Sequence, residues 1–394
     1  MSRSPAPRPA LRTLGLAALL ALCGALGCVD DDASGGGIYV YDGPSRSVLV
    51  WKDAEKLLEA AKDRKEPPKA DRTFRINFRD GNLAWGGMAL DDSHNRLYLV
   101  SDKGTVHVVN NPRTQTGSIS GTSNITSFTL GSPGSDRYSG GSVFGQASVD
   151  QARNILYVVE NAKDGDGARI WAVGNASQVP NGRTLAKDEH TFGADGDKWG
   201  AGVAAGQARM VYGLFGDGKD FEINLNNDAI GGPRLREGTD ARFPSNPVHL
   251  RPINTLVGAN TQLPEPLGYG SLAYDGQHNA LYLFAHPSRE GDPAKASLMV
   301  FGAGQFHGSH DQAPQRTLAG VPRDLRIIAH PRQADWLLGA GFTAAATGSE
   351  HGLGEGKGRA TLYLWKAPSE GGAPATIQKL PGTSEIRGLA MGGE

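Results

Sequence analysis

Short runs of alternating apolar and polar residues, separated by polar turns, recur along the chain. The segments 86–112, 145–176 and 270–304 share one order of strands and turns. In each segment an apolar strand ends in Asp, a polar turn containing Asn follows, and a second strand carries Leu-Tyr. The residues are Asp91, Asn95 and Leu97-Tyr98; Asp150, Asn154 and Leu156-Tyr157; and Asp275, Asn279 and Leu281-Tyr282. Asp and Asn suit such turns because their side chains bond nearby backbone. The pattern predicts a repeat of antiparallel strands.

Weaker copies at 200–226 and 324–367 extend the repeat, with equivalent positions 85, 144, 199, 269 and 324 lying 55 to 70 residues apart. Fourth strands are predicted at 126–130, 316–320 and 376–380. A first strand stands alone at 385–392, whereas residues 38–52 and 73–78 supply strands two to four without a first. We therefore predict an all-β fold over 38–394, a six-bladed β-propeller with four-stranded antiparallel blades. The C-terminal strand is expected to join the N-terminal blade and close the ring.

One short helix is predicted near 53–66. Asp53 is a candidate N-cap, helix-forming residues follow, and Pro67 ends the run. Two interpretations remain for this insertion between the third and fourth strands of the closing blade. It is either a solvated decoration on the rim or a helix that docks a partner.

The repeat units resemble those of a known superfamily. The segments DDSHNRLYLVSD (91–102) and DQARNILYVVEN (150–161) are similar to units of six-bladed propellers that include NHL-repeat, TolB-like and gluconolactonase-like proteins. The resemblance covers nearly all of 38–394 and implies the fold, but many activities share that fold. Gluconolactonase-like members hold a divalent metal in the channel, for which this chain offers only Asp324 and Glu385 as carboxylates at the channel entries. A metal-dependent lactonase-like hydrolase, with its site at the channel mouth, is therefore the alternative function.

The amino terminus predicts the compartment. Residues 1–12 carry three Arg and no acid, and residues 14–26 form a short apolar run, as in an export signal. The sequence Ala25-Leu26-Gly27-Cys28 resembles the lipobox of bacterial lipoproteins, which implies removal of 1–27 and lipidation of Cys28. Residues 28–37 then form a flexible tether. We expect an exported, membrane-anchored lipoprotein on the periplasmic face or the cell surface; the alternative is ordinary cleavage with Cys28 incidental.

Charge and histidine placement argue against several kinds of binding site. The 40 basic and 41 acidic side chains give a net charge of −1, which is no footprint for nucleic acid. No cofactor is expected, and a divalent metal is possible but not indicated. His94 and His278 share one turn position in two repeats, which favours a turn role over a ligand role. The pair His307 and His310 is predicted to lie in a solvated loop.

Candidate binding residues lie where the first strands begin. The entries carry aromatic, basic and acidic side chains: Trp85, Phe144, Trp199, Tyr269, Arg323, Asp324, Glu385 and Arg387. The aromatic rings either stack on sugar rings and other apolar ligand faces at the channel mouth or pack between blades. We predict a monomeric, lipid-anchored binding or scaffold protein of the bacterial cell envelope. Its expected partners are the membrane and an envelope protein, a glycan or a small molecule.

Overall fold

The computed structural model describes most of the chain beyond residue 36. The described ranges are 37–63, 65–78, 81–131, 143–161, 168–186, 191–193, 199–207, 210–216, 221–227, 254–256, 258–263, 267–287, 296–307, 311–331, 334–343, 359–378 and 380–392. The predicted signal segment and Cys28 lie outside these residues. Loops that connect many of the strands also lie outside them.

Three sheets are built from the first half of the chain and the C-terminal strand. Sheet 1 contains β1 (Ile38–Asp42), β2 (Ser47–Trp51), β3 (Arg72–Arg75), β7 (Gly117–Ser118) and β26 (Ile386–Met391), in the order β26-β1-β2-β3-β7. Sheet 2 contains β4 (Leu83–Asp91), β5 (Arg96–Ser101), β6 (Thr105–Asn110), β8 (Ile125–Leu130) and β12 (Thr184–Leu185), in the order β4-β5-β6-β8-β12. Sheet 3 contains β9 (Val143–Asp150), β10 (Ile155–Asn161), β11 (Ala168–Gly174) and β13 (Thr191–Gly193), in that order.

Three further sheets follow in the second half. Sheet 4 contains β14 (Trp199–Ala205), β15 (Met210–Gly216), β16 (Phe221–Asn227) and β17 (Asn254–Leu256). Sheet 5 contains β18 (Leu267–Asp275), β19 (Ala280–Pro287), β20 (Ser297–Gly302) and β21 (Arg316–Thr317). Sheet 6 contains β22 (Leu325–Ala329), β23 (Trp336–Thr343), β24 (Arg359–Lys366) and β25 (Ala375–Gln378). Within these three sheets, neighbouring strands are antiparallel and follow the chain order.

The sheets surround a common axis. Their innermost strands contact one another in the cyclic order β26, β4, β9, β14, β18, β22 and back to β26. Apolar side chains fill the space between each sheet and the next, in six separate clusters. Every sheet is therefore covered on both faces, which explains why the strands are more uniformly apolar than strict alternation would give. The described chain is an all-β propeller with mostly antiparallel blades, the fold that the sequence resemblance implies.

The ring is closed as predicted. The C-terminal strand β26 pairs antiparallel with β1, with Ile38 opposite Met391 and Val40 opposite Leu389. The buried Asp42 carboxylate accepts from the backbone N–H groups of Ser384, at 2.6 Å, and Glu385, at 3.0 Å. The last strand of the chain is thus joined to the first by backbone pairing and by the hydrogen bonds that Asp42 accepts.

The prediction of four antiparallel strands in every blade is corrected in sheets 1 and 2. Each of these sheets has a fifth strand of two residues that pairs in parallel, β7 with β3 and β12 with β8. Each short strand lies in the connection between the third and fourth strands of one sheet, β6 to β8 or β11 to β13, and pairs with the outer strand of the preceding sheet. The fourth strand predicted at 316–320 is also shorter and covers only Arg316–Thr317.

The predicted helix is present as α1 (Ala54–Lys62). The Asp53 carboxylate accepts from the N–H of Lys56 at 3.1 Å, so Asp53 is the N-cap. Leu57 and Leu58 are buried in the apolar cluster between sheets 1 and 6, and α1 contacts β25. The helix therefore covers part of the seam between sheets 1 and 6. No helix among the described residues has the length and apolarity needed to span a membrane.

Candidate functional site

The beginning of each innermost strand is irregular. In all six sheets, the pairing between the innermost strand and its neighbour shifts register near this end. A bulge leaves a residue unpaired and changes the direction of its side chain. In sheets 1 and 6 the unpaired residue is an arginine, Arg387 and Arg326 respectively. The bulges therefore bring two cations to the entry end of the ring.

Arg387 gathers three of the predicted residues into one group. Its Nε donates to Glu385 Oε1 at 2.6 Å, and its guanidinium carbon lies 5.4 Å from the centre of the Trp85 ring. The Arg387 and Glu385 side chains are 19% and 20% exposed. This entry group (Trp85, Glu385 and Arg387) combines a cation, a carboxylate and an aromatic ring at the surface, where sheet 1 meets sheet 2.

Tyr269 belongs to a second group, where sheet 5 meets sheet 6. The Arg326 guanidinium lies over the Tyr269 ring at 4.3 Å and donates to its hydroxyl. The His286 ring stacks on the same tyrosine with centroids 4.4 Å apart and planes inclined by 14°. Tyr269 thus contacts a cation and a second aromatic ring. Burial lowers the pKa of Arg326 to about 10, which leaves the guanidinium charged at neutral pH.

The other predicted site residues are placed separately. Phe144 is 4% exposed and packs between sheets 2 and 3. Arg323 is exposed, and Asp324 is half-buried and accepts from the Tyr363 hydroxyl. Trp199 begins β14, and its side chain lies outside the description. The ligand-binding role of all eight residues stays a prediction.

Arg326 was missed by the sequence reasoning, which took Arg323 and Asp324 as the entry of sheet 6. The register shows that Arg326 corresponds to Arg387, since both follow the first paired residue of an innermost strand. A signal was available in the similar sequences Leu325-Arg326 and Ile386-Arg387. This similarity was hidden because the turn after β22 lacks Asp and Asn at the positions where the segments 86–112, 145–176 and 270–304 have them.

A buried side chain at the inner side of the ring links three innermost strands. Gln146 on β9 accepts from the Leu272 N–H at 3.0 Å and from the Val203 N–H at 3.3 Å, and its amide donates to the Leu272 carbonyl at 2.6 Å. A Cβ atom at Gly202 would lie 2.6 Å from Gln146 Oε1, so only glycine leaves room for the amide there. Gln146 thus ties sheet 3 to sheets 4 and 5.

A cavity of about 80 Å³ lies on the axis and is lined by all six innermost strands. Its lining runs from Gln146 towards the C-terminal ends of those strands and includes Ser148, Tyr274 and His330. The volume accommodates a few water molecules. It is well below the ~300–1,000 Å³ of typical small-molecule sites.

The turns at the C-terminal ends of β4 and β18 are built alike. We call them the sheet-2 turn (residues 91–96) and the sheet-5 turn (residues 275–280). In the sheet-2 turn the Asp91 carboxylate accepts from the His94 N–H at 3.1 Å and lies 2.8 Å from His94 Nδ1. In the sheet-5 turn Asp275 holds His278 in the same way, at 3.0 and 2.7 Å. Both histidines lie at the same position of equivalent turns, as the sequence repeat predicts.

The described strands define the class of the chain as a β-propeller. No family model and no curated protein matches its sequence. Among solved structures it is similar to a protein of unknown function from Bacteroides caccae, at 11% identity and a TM-score of 0.48, over 91% of this chain and 98% of that one.

Two further solved structures are similar in the same range. One is the β-propeller domain of Cps50 (Swd1) from Myceliophteria thermophila, at 11% identity and a TM-score of 0.43, over 77% of this chain and 76% of that one. The other is a luciferin-regenerating enzyme, at 8% identity and a TM-score of 0.41, over 78% and 84%. The fold assignment for this chain therefore depends on its own strand pairing.

Proposed function

We propose that the chain is a lipid-anchored binding or scaffold protein of the bacterial cell envelope, built as a six-bladed ring with one sheet per blade. The cyclic contacts of six innermost strands and the six apolar clusters support the blade number. The export signal and the lipobox-like sequence before Cys28 support the anchor.

The observation that carries the binding role is the entry group. Trp85, Glu385 and Arg387 are held together at the surface by a bulge, a 2.6 Å ion pair and an aromatic contact. Such a surface offers hydrogen-bond donors and acceptors beside an aromatic ring, as interface anchor residues do. The small axial cavity favours a protein or glycan that contacts the outside of the ring over an organic molecule enclosed within it.

Site-specific photo-crosslinking in cells tests this surface. A photoreactive residue in place of Arg323, exposed at the entry end, is expected to give a crosslinked product that Trp85→Ala removes. The matched control places the same residue at His94, which is 39% exposed at the other end of the ring. Equal products from both positions, or a product that persists in Trp85→Ala, would contradict the proposed surface.

Metabolic labelling with a radioactive fatty acid tests the anchor separately. Cys28→Ala is expected to abolish labelling. Cys23→Ala, the other cysteine of the chain, is the control and should retain the label. Undiminished labelling of Cys28→Ala would contradict the lipid anchor but would not bear on the proposed binding surface.

The alternative, a metal-dependent hydrolase at the channel mouth, is supported less well. Asp324 accepts from the Tyr363 hydroxyl, and Glu385 is paired with Arg387. The two carboxylates belong to different groups of contacts, which favours binding over hydrolysis.

A further inference from the structure

The sheet-5 turn contains a fully buried carboxylate whose geometry is fixed by the backbone. Asp275 Oδ1 accepts from the N–H groups of Gln277, at 2.8 Å, and His278, at 3.0 Å. The other oxygen, Oδ2, lies 2.7 Å from His278 Nδ1. Asp275 is therefore oriented by its own turn, and Oδ2 faces the imidazole.

Sheet 6 brings two more metal-ligand side chains to this turn. His330 follows β22, its side chain is fully buried, and its Nε2 lies 3.5 Å from Asp275 Oδ2. Asp335 precedes β23, and one ligand atom each from Asp275, His278 and Asp335 lie within 4.8 Å of one another. Two carboxylates and the His278 imidazole thus lie close together where sheets 5 and 6 pack, and the His330 imidazole lies beside Asp275.

We propose that Asp275, His278 and Asp335 bind a divalent transition-metal ion of the zinc type, with a water molecule as the fourth ligand and His330 beside Asp275 as a positioning residue. Imidazole and carboxylate ligands suit Zn²⁺, whereas Ca²⁺ and Mg²⁺ prefer oxygen ligands alone. Tetrahedral bonds of ~2.0–2.1 Å place neighbouring ligand atoms roughly 3.3 Å apart. Asp275 Oδ2 and His278 Nδ1 are 2.7 Å apart, and the ligand atoms of all three residues lie within 4.8 Å of one another, so small side-chain movements bring them to that distance.

The residues around the site hold the ligands in place. Asp335 Oδ1 accepts from the Ser369 N–H at 3.1 Å, and Asp335 Oδ2 accepts from the Ser369 hydroxyl. The His330 ring stacks on Tyr282, with centroids 5.4 Å apart and planes inclined by 16°. Orientation of ligands by such partners is typical of metal sites. The His278 side chain is 38% exposed, which gives an ion a path from solvent.

The sheet-2 turn is a matched comparison within the same chain. Strand pairing sets Val149 opposite Leu156 and Asp150 opposite Ile155 in sheet 3. In sheet 6, Ala329 lies opposite Leu338. When this pairing is continued towards the turn and compared with sheet 3, His330 takes the position of Val149. Asp335 takes the position of Asn154. Sheet 3 thus places an apolar residue and a neutral amide beside the sheet-2 turn, whereas sheet 6 places the positioning residue His330 and the ligand Asp335 beside the sheet-5 turn.

Zinc titration of the whole protein, prepared without a polyhistidine tag and freed of metal by a chelator, tests the proposal. We expect one equivalent of Zn²⁺ to bind in competition with a chromogenic chelator, and Co²⁺ to give the visible absorption of a four-coordinate site. Asp335→Asn and His330→Val, which introduce the residues of the sheet-3 positions, should each weaken zinc binding at least ~10-fold. His278→Ala should weaken it more.

The control is His94→Ala, which removes the equivalent histidine from the sheet-2 turn and should leave zinc affinity unchanged. Circular dichroism spectra of all variants should coincide, so that a loss of affinity reports on the ligands and not on folding. The absence of zinc binding, an equal loss in His94→Ala and His278→Ala, or a loss on His310→Ala instead would each overturn the proposal.

Discussion

The sheet-2 turn and the sheet-5 turn have nearly the same internal structure and very different surroundings. Each places a fully buried aspartate 2.7 to 2.8 Å from the Nδ1 atom of a histidine whose side chain is 38% or 39% exposed. Next to the sheet-2 turn, sheet 3 offers Asn154, which accepts from the Tyr98 hydroxyl at 3.3 Å. Next to the sheet-5 turn, sheet 6 offers Asp335 and His330.

The difference separates the residues that determine the conformation of a turn from those that determine its surroundings. The residues of a turn determine its backbone and its Asp-His contact, because these contacts are local. The residues of the following sheet determine whether the turn faces a neutral hydrogen-bond network or a set of ligands. The equivalent tyrosines Tyr98 and Tyr282 respond alike: burial raises the pKa of both, and the aspartate of the adjacent turn, Asp91 or Asp275, raises it further.

The largest effect is expected from a deletion that opens the ring to which both turns belong. Deletion of residues 385–394 takes away β26, which pairs with β1 and contacts β4 and β22. We expect most of the free energy of unfolding, typically about 5–15 kcal/mol, to be lost. Urea denaturation followed by circular dichroism measures it, and deletion of 393–394 alone is the control. An unaltered melting temperature would show that the turns do not depend on ring closure.

The second prediction converts one turn into the other. Val149→His combined with Asn154→Asp gives the sheet-2 turn the neighbours of the sheet-5 turn. Zinc stoichiometry should rise from one to two, because His94 and Asp91 already have the required geometry. Isothermal titration calorimetry measures the change, and Val149→His alone should bind the second ion more weakly. If the double variant still binds one ion, the neighbouring residues are not what distinguishes the two turns.

The third prediction separates folding from metal binding. Asp91→Ala and Asp275→Ala each remove a side-chain acceptor for turn N–H groups, so each should cost about 1–2 kcal/mol of unfolding free energy in metal-free protein. With free zinc at 100 times its Kd, the wild type and Asp91→Ala should each gain about 2.7 kcal/mol, and Asp275→Ala should gain none. Equal gains in both variants would place the ion elsewhere.

The smallest expected effect concerns the neutral network beside the sheet-2 turn. Tyr98→Phe removes the hydrogen bond to Asn154 and should cost about 1 kcal/mol. Asn154 also bonds to Ser177, so part of the network remains. A double-mutant cycle with Asn154→Ala isolates the Tyr98 contribution. A coupling energy of zero would mean that this contact does not stabilise the seam.

Much of the fold could be predicted because the repeat marks its own turns with Asp and Asn. The unpaired strands at the two ends of the chain predicted the closure between β26 and β1, and Asp53 predicted the start of α1. The two-residue strands β7 and β12 have no apolar pattern, so the sequence carried no signal for them.

The candidate sites were harder to predict because they depend on neighbouring sheets. Arg326 and Arg387 reach the entry end through bulges, and a register shift leaves little trace in residue type. His330 and Asp335 become equivalent to Val149 and Asn154 only when strand pairing aligns sheets 3 and 6. The role of Gln146 was missed for the same reason, since its partners are 57 and 126 residues away.

Gln146 has a mechanical consequence for the whole ring. Its amide bridges the hole from sheet 3 to sheet 5, with a further bond to sheet 4 on the way. A propeller held only at the seams between adjacent blades can open at one seam by tilting a blade outward. Here such a tilt of sheet 4 or sheet 5 stretches a bond across the hole. The Gln146 side chain joins sheet 3 to sheet 4 and also to the sheet beyond it, so that displacement of one of these three blades is transmitted directly to the other two.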